Sequence, residues 1–351
     1  MPATTANQNQ ARSSQQKNND LTPDRVFGFA WGYTIPLVIE AAIGNHVFDS
    51  LSVGPLTLDQ LAEKTGASRR GLRMIANALI GVQLLAKEGD RYTLTPESSA
   101  FLVSAKPGFQ GGIFKHISKQ LIPKWLELSN IVRNGRSAGA VNSESEGAEF
   151  FEGFVEDIFP MSYRAAQTLG QTLNLSAATK PVKVLDIAAG SGVWGIALAE
   201  QSPQVRVTAV DWERVLPVTR RIATKRNVVD RFTFVPGDIN TVNFGTGHDI
   251  ATLGHIIHSE GEARSRKLIK RVFDALAPGG TIAIGEFLVN DDRTGPPNGT
   301  IFAVNMLVNT DEGDTFSFSE ISSWVKQVGF VEPRTLEAPA PSPLVLATKP
   351  K

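Results

Sequence analysis

The chain is 351 residues long, with Lys+Arg 35 balanced by Asp+Glu 35, a formal net charge of +0 and no cysteine. The length points to two domains. The neutral balance gives no bulk attraction to nucleic acid or to an anionic membrane, and the absence of thiols excludes disulfides, thiolate catalysis and cysteine-held zinc.

Residues 1–20, MPATTANQNQARSSQQKNND, are polar and read as a disordered tail without the apolar core of a signal peptide. Phe27–Leu51 is apolar on nearly every side, through Trp31, Tyr33, Ile35, Leu37, Val38, Ile39, Ile43, Val47 and Phe48. Pro36 is predicted to kink or divide this helix. Glu40, Asn45, His46 and Asp49 interrupt it too often for a bilayer span, no apolar run is long enough to cross one, and a cytoplasmic protein is expected. A helix apolar all round has to be covered, which points to a partner subunit. Residues 57–95 then read as helix, turn, helix and a short β-wing, with Thr57 and Ser68 as N-caps. Arg69, Arg73 and Asn77 share one helix face, as in DNA-reading winged helices. The modest basicity of the segment and the nucleotide-binding half that follows argue against DNA.

Residues 106–178 look helical and aromatic, with Phe150, Phe151, Phe154, Phe159 and Met161, interrupted by the loop-like KPGFQGG and NGRSAGAVNSESEG. Residues 179–351 alternate strands and helices. VKVLDIA is a buried strand, and Gly190, Ser191 and Gly192 turn the chain into the helix VWGIALAE. The spacing Gly190, Gly192, Gly195 alone also suits an NAD site. The acids around it are more telling. Asp186 lies at the end of the first strand, Asp211 ends VRVTAVD, and Asp238 ends RFTFVPGD. Asp211 is placed to bind both hydroxyls of a ribose. Acids at successive strand ends suit a ligand with an amine and a ribose, and do not suit a pyrophosphate. HDIATLGHII is a fourth strand. The helix ARSRKLIKRVFDALA carries Leu268, Ile269, Val272, Phe273 and Leu276 on one face, with Pro278-Gly279-Gly280 as its stop, before the fifth strand TIAIGEFL. An antiparallel strand near Pro343–Thr348 is expected to pair with the segment around Pro333–Glu337.

This half resembles the class I S-adenosylmethionine-dependent methyltransferases, and the N-terminal half narrows the resemblance. Together they are similar to two-domain small-molecule O-methyltransferases with a winged-helix-like dimerisation domain, a group that includes plant caffeate-type and antibiotic-pathway enzymes. The resemblance implies an α/β Rossmann-like sheet at 179–351, a mostly α-helical winged-helix-like dimerisation domain at 21–105, and a substrate-lining helical linker at 106–178. It implies a homodimer, with neither nucleic acid nor membrane as partner. It further implies that S-adenosylmethionine lies on Asp186 and the Gly190–Gly192 turn, with Asp211 on the ribose, Trp212 against the adenine, and Asp238 and Ile239 near the adenine amine.

Of five histidines, His255 and His258 lie at the end of the fourth strand. Methyl transfer to a hydroxyl needs a base titrating near neutrality, and histidine supplies one. By the resemblance His258 is the general base, followed by Ser259 and Glu260 where the family usually has Asp and Trp; His255 is the alternative. Glu286 matches the acid that flanks the histidine. The family's second flanking glutamate falls near Thr315, leaving Asp314 or Glu312 to take the role or the chemistry to differ. Phe159, Met161, Met306 and Asn309 are expected to hold a small aromatic or polyketide-like acceptor, and no metal is expected. Methylation of carbon, or a cofactor-binding DNA regulator, are the alternatives.

Overall fold

The structure, a computed structural model, describes residues 21–351 apart from 142 and 153. The expected tail at 1–20 lies outside the described residues. The chain divides into two compact units between Ser99 and Ala100.

In the first unit, helices α1 (Asp24–Ala30), α2 (Thr34–Gly44) and α3 (Val47–Leu51) precede β1 (Leu56–Thr57), α4 (Leu58–Thr65), α5 (Arg69–Gly81), β2 (Leu85–Glu88) and β3 (Arg91–Leu94). The stretch is divided in two as expected, with the break just N-terminal to Pro36, whose ring would clash in an unbroken helix with the carbonyl four residues before it, at Gly32. The chain turns at Trp31–Tyr33, and Pro36 sits inside the first turn of α2, where its missing N–H costs nothing. Thr57 caps α4 in a reciprocal box with Gln60, and the Ser68 hydroxyl accepts from Gly71 N–H at the start of α5. The strands form an antiparallel sheet in the order β1-β3-β2. Leu61, Leu72, Ala76, Leu79, Leu85 and Tyr92 are buried inside this unit. Asp59 pairs with Arg69 at 2.5 Å, and Asn77 accepts from the Tyr92 hydroxyl at 3.2 Å. Two of the residues that would read DNA are therefore engaged within the fold. Helix α1 buries nothing, and Phe29 and Trp31 are 71% and 68% exposed. By length and composition alone, the 21 residues Asp24–Gly44 would pass as a membrane span, which corrects the expectation that no run was long enough. The turn at Trp31–Tyr33 divides that stretch into two short helices.

The second unit opens with α6 (Gly112–His116), a π-helical turn (Ile117–Leu121), α7 (Ile122–Trp125), α8 (Leu128–Asn134), α9 (Glu144–Glu152) and α10 (Phe159–Thr172). The alternating half follows: β4 (Val182–Ile187), α11 (Val193–Gln201), β5 (Val205–Asp211), α12 (Leu216–Lys225), β6 (Phe232–Pro236), β7 (His248–Gly254), α13 (Ile257–Ala275), β8 (Leu276–Gly285), α14 (Pro297–Asn309), α15 (Phe318–Val328), β9 (Val331–Leu336) and β10 (Leu344–Thr348). The 7-stranded sheet runs β6-β5-β4-β7-β8-β10-β9. Strands β6 to β8 pair in parallel, and β10 is antiparallel to both β8 and β9, as the C-terminal pattern predicted.

Side-chain alternation in β4 splits the core. Val184 packs with Leu169, Trp194, Ile196 and Ile222 on one face of the sheet, while Leu185 and Ile187 pack with Leu268, Ile269, Trp324 and Val325 on the other. One boundary differs from expectation. Helix α13 ends at Ala275, and Leu276 through Gly280 already belong to β8. The stretch is drawn into the sheet because Leu276 pairs with His248, and a register shift then absorbs Pro278–Gly280 before Thr281 pairs with Ile250. The strand order reverses between β4 and β7, so a crevice opens at their carboxyl ends, the usual ligand position in such a sheet.

Candidate active site

Two cavities lie at that crevice, and they differ in chemistry. The first, of about 130 Å³, is lined by the turn Ala188–Ser191, by Asp211 and Trp212 after β5, by Asp238 to Asn240 after β6, and by Glu260. The turn takes left-handed backbone at Ala188, Gly190 and Gly192, with φ of 52, 55 and 75°, which the two glycines adopt freely and Ala188 only under strain. Asp211 anchors it, accepting from Gly190 N–H at 2.7 Å and from Trp212 N–H at 2.7 Å, while the Thr219 hydroxyl donates to Gly190 O at 2.7 Å. Burial pushes the Asp211 carboxyl up to about 6 against the pull of those two N–H groups. The loop after β6 is held by Arg271, whose guanidinium donates to Ile239 O and Val242 O and stacks over Phe244 at 4.2 Å. Nothing in the local sequence pattern marks Arg271 for this work, since it looks like an ordinary polar position of α13.

Asp186 does not reach this cavity. Its carboxylate is 1% exposed beneath the turn, accepting from Gly195 N–H at 2.9 Å and from the Thr252 hydroxyl at 2.7 Å. Burial raises it to about 7. A Cβ on Gly195 would fall 2.9 Å from the Asp186 carboxylate, so that glycine is required by packing.

The second cavity, of about 200 Å³, is largely aromatic. Phe150, Phe151 and Phe154 line it from one group of rings and Phe287 and Phe302 from another, the last two stacked at 3.9 Å. His258 stands edge-on to Phe302 at 4.9 Å. Met161, Met306 and Asn309 also line this cavity. Phe159 does not: it stacks on Tyr163 at 5.3 Å with the Arg226 guanidinium over its ring, on the packing side of α10. One helical step separates it from the cavity face that Ile158, Met161 and Ser162 occupy.

His258 and Glu286 come together at this wall. His258 Nδ1 donates to Glu286 Oε2 at 2.6 Å, and Glu286 Oε1 accepts from the N–H groups of Ile257 at 2.8 Å and His258 at 3.3 Å. Burial raises the Glu286 carboxyl, but the facing His258 charge and these hydrogen bonds outweigh it and hold the group below its ordinary value. In the neutral ring, with Nδ1 protonated towards the carboxylate, the lone pair is on Nε2.

His255 lines both cavities, at a strained φ of 62°, and its buried Nδ1 has no hydrogen-bond partner among the described residues. Burial lowers it to about 4, so it is a neutral imidazole at pH 7. Ligand atoms of His255, His258 and Glu286 lie within 4.8 Å of one another, a grouping compatible with a cation that the sequence did not foretell. Both Glu286 oxygens are already engaged by His258 and backbone N–H groups.

Among the described residues, the second flanking acid has no counterpart at the ring. Asp314 is 47% exposed at its side chain, pairs with Arg293 at 3.2 Å, and meets His258 only through its own N–H to His258 O at 2.9 Å. Glu312 is exposed, and Thr315 is buried with an unpartnered hydroxyl.

The first cavity fits the expected cofactor on its own chemistry. Carboxylates of Asp211, Asp238 and Glu260 suit hydroxyl and amine donors, the Trp212 indole suits a flat base, and Asp211 keeps free lone pairs after accepting two N–H groups.

Comparison with known proteins agrees. The O-methyltransferase domain family matches residues 125–331, and the O-methyltransferase dimerisation domain family matches residues 27–104. The 3-hydroxy-5-methyl-1-naphthoate 3-O-methyltransferase of Streptomyces sahachiroi is 28% identical over 324 residues, covering 91% of this chain and 92% of that protein. The tetracenomycin polyketide synthesis 8-O-methyl transferase TcmO of Streptomyces glaucescens is 28% identical over 316 residues, covering 89% and 92%. The crystal structure of human N-acetylserotonin methyltransferase in complex with SAM has the same fold, with a TM-score of 0.82 at 21% identity over 95% of this chain and 99% of that one. The match of the methyl-transfer domain over more than half its length places this chain in the S-adenosylmethionine-dependent O-methyltransferase family.

Proposed function

We propose that this enzyme methylates a hydroxyl of a small aromatic or polyketide-like molecule, with His258 taking the proton. The observation that carries the reading is the 2.6 Å His258–Glu286 contact on the wall of an aromatic-lined cavity that adjoins the acid-lined one. S-adenosylmethionine supplies a methyl group activated on a sulfonium, so the protein has to place the acceptor and take up its proton. Asp211, Trp212, Asp238, Ile239 and the turn at Gly190 and Gly192 bind the cofactor. Phe287, Phe302, Met161, Met306 and Asn309 hold the acceptor ring. His258 Nε2 receives the hydroxyl proton, and Glu286 keeps the ring in the Nδ1–H tautomer and stabilises the imidazolium that results. Asp186 acts beneath the turn, as its support.

The first unit, with the end of the match at 104, serves as the dimerisation domain of a cytoplasmic homodimer. The dimerisation-family match and the exposed Phe29 and Trp31 of an otherwise unburied helix support this. Two Streptomyces relatives named for methylating naphthoate and polyketide hydroxyls support the acceptor class.

The test is turnover of a hydroxyaromatic panel by the wild type and by His258→Ala, with cofactor affinity followed by calorimetry. His258→Ala is expected to retain affinity and lose about a hundredfold or more in kcat. Near-normal turnover would remove His258 as the base.

A further inference from the structure

Besides His258 and His255, the acceptor cavity contains a third imidazole, which the proton-transfer chemistry does not use. His116 is the last residue of α6 and enters the π-helical turn Ile117–Leu121, a distortion that proteins retain mostly where it places a functional group. The turn brings Gln120 against the ring, and His116 Nδ1 lies 2.5 Å from Gln120 Oε1. The amide cannot be reversed without loss, because Gln120 Nε2 donates to Phe150 O at 3.3 Å. Oxygen therefore faces the imidazole, Nδ1 carries the proton, and Nε2 is an acceptor without a hydrogen-bond partner among the described residues. Burial lowers the His116 pKa, the Gln120 hydrogen bond opposing it and Lys124 adding to it, so the ring is neutral at pH 7. Phe154 clamps the ring face to face at 4.0 Å and 8°, and Phe150 meets it edge-on at 5.4 Å.

This oriented acceptor belongs to a different wall from the base. His116 sits in the ring cluster of Phe150, Phe151 and Phe154, and His258 in that of His255, Phe287 and Phe302. Among the described residues no ring contact joins the two clusters, yet both line the one cavity. A flat molecule filling that cavity touches both.

We propose that His116 Nε2 accepts a hydrogen bond from a second hydroxyl of the acceptor, remote from the one methylated, so that the enzyme selects fused aromatic diols over simple phenols. The inference rests on the acceptor class proposed above. A site built around a substrate hydroxyl discriminates strongly against the analogue that lacks it, because its own polar atom is left unpaired.

The experiment compares kcat/KM for 2-naphthol with that for dihydroxynaphthalenes bearing the hydroxyls on opposite rings (the 1,6-, 1,7-, 2,6- and 2,7-isomers). Calorimetric titration of the same compounds into protein saturated with S-adenosylhomocysteine gives a readout independent of turnover. The full-length wild type is expected to prefer at least one diol by about tenfold or more in both measurements. His116→Phe keeps a flat ring and is expected to reduce that ratio to about threefold or less, whatever happens to the absolute rate. His116→Gln, which restores an acceptor, is expected to recover part of it. Should His116→Phe fail to fold, Gln120→Leu frees the tautomer and is expected to lower the ratio in the same direction. A ratio unchanged by His116→Phe or Gln120→Leu, or no diol preference in the wild type, would make His116 a mere wall and overturn the inference. Failure to bind or methylate any of these compounds would instead contradict the acceptor class, and the inference with it.

Discussion

The two cavities of the second unit are made in opposite ways. The first cavity takes its polar groups from the ends of consecutive parallel strands, each within a few residues of its strand: Gly190 after β4, Asp211 at the end of β5, Asp238 after β6. The second cavity gathers side chains from seven separated places, around His116, Val141, 150–162, 255–259, Phe287, 302–309 and Pro341. Backbone topology determines the first, and side-chain packing determines the second. The first should therefore respond to loss of single polar groups, and the second to loss of ring surface.

Substitutions that affect one cavity and spare the other sharpen this contrast. The largest such effect is expected from Asp211→Ala, which removes the buried carboxylate that anchors the turn and is proposed to bind the ribose. Cofactor affinity should fall about thirtyfold or more, for a loss of about 2 kcal/mol. Acceptor affinity measured at saturating cofactor should hold steady, and equal losses in both would break the separation. Phe302→Ala should do the reverse, raising the acceptor KM about fivefold through lost ring contact of about 1 kcal/mol, with cofactor affinity unmoved. Phe159→Leu is the control. Its ring packs on Tyr163 and Arg226, so thermal stability should drop slightly while both binding constants stay put.

The smallest effect concerns pH. Asp186 and Asp211 are raised to about 7 and about 6 in the folded protein, above the unfolded carboxyl value of about 3.9. The folded state then holds protons that the unfolded chain releases. Stability from these groups is fully present below about pH 4 and is lost as pH rises towards 7. Asp186→Asn keeps both hydrogen-bonding neighbours in reach and removes its share of this slope. The difference in melting temperature between pH 5 and pH 8 should shrink in the ligand-free variant, and an undiminished difference would deny the raised value.

Much of the first cavity was legible in the sequence because strand ends and glycine turns are local signals. Asp186 is the exception that explains the limit. The sequence shows that it ends a strand, but strand alternation turns it beneath the glycine turn, where Gly195 and Thr252 claim it. In the second cavity the sequence located Met161, Met306 and Asn309 by resemblance and misplaced Phe159 by one helical step. It was silent on His116, whose position depends on a π turn that no apolar periodicity encodes. Likewise, only the fold shows that Asp314 spends its carboxylate on Arg293 and leaves Glu286 as the acid that meets His258.

The claim at the centre is that His258 removes the proton of the accepting hydroxyl, and it can be tested by varying the acidity of the acceptor. Single-turnover methyl transfer would be measured for wild type and His258→Ala with a series of phenolic acceptors, from those with pKa near 10 to those already ionised at the assay pH. The account predicts a deficit of about a hundredfold for the weakly acidic phenols that shrinks towards none for the ionised ones. A deficit of the same size across the whole series would contradict it, and would leave His258 as a residue that shapes the cavity without taking the proton.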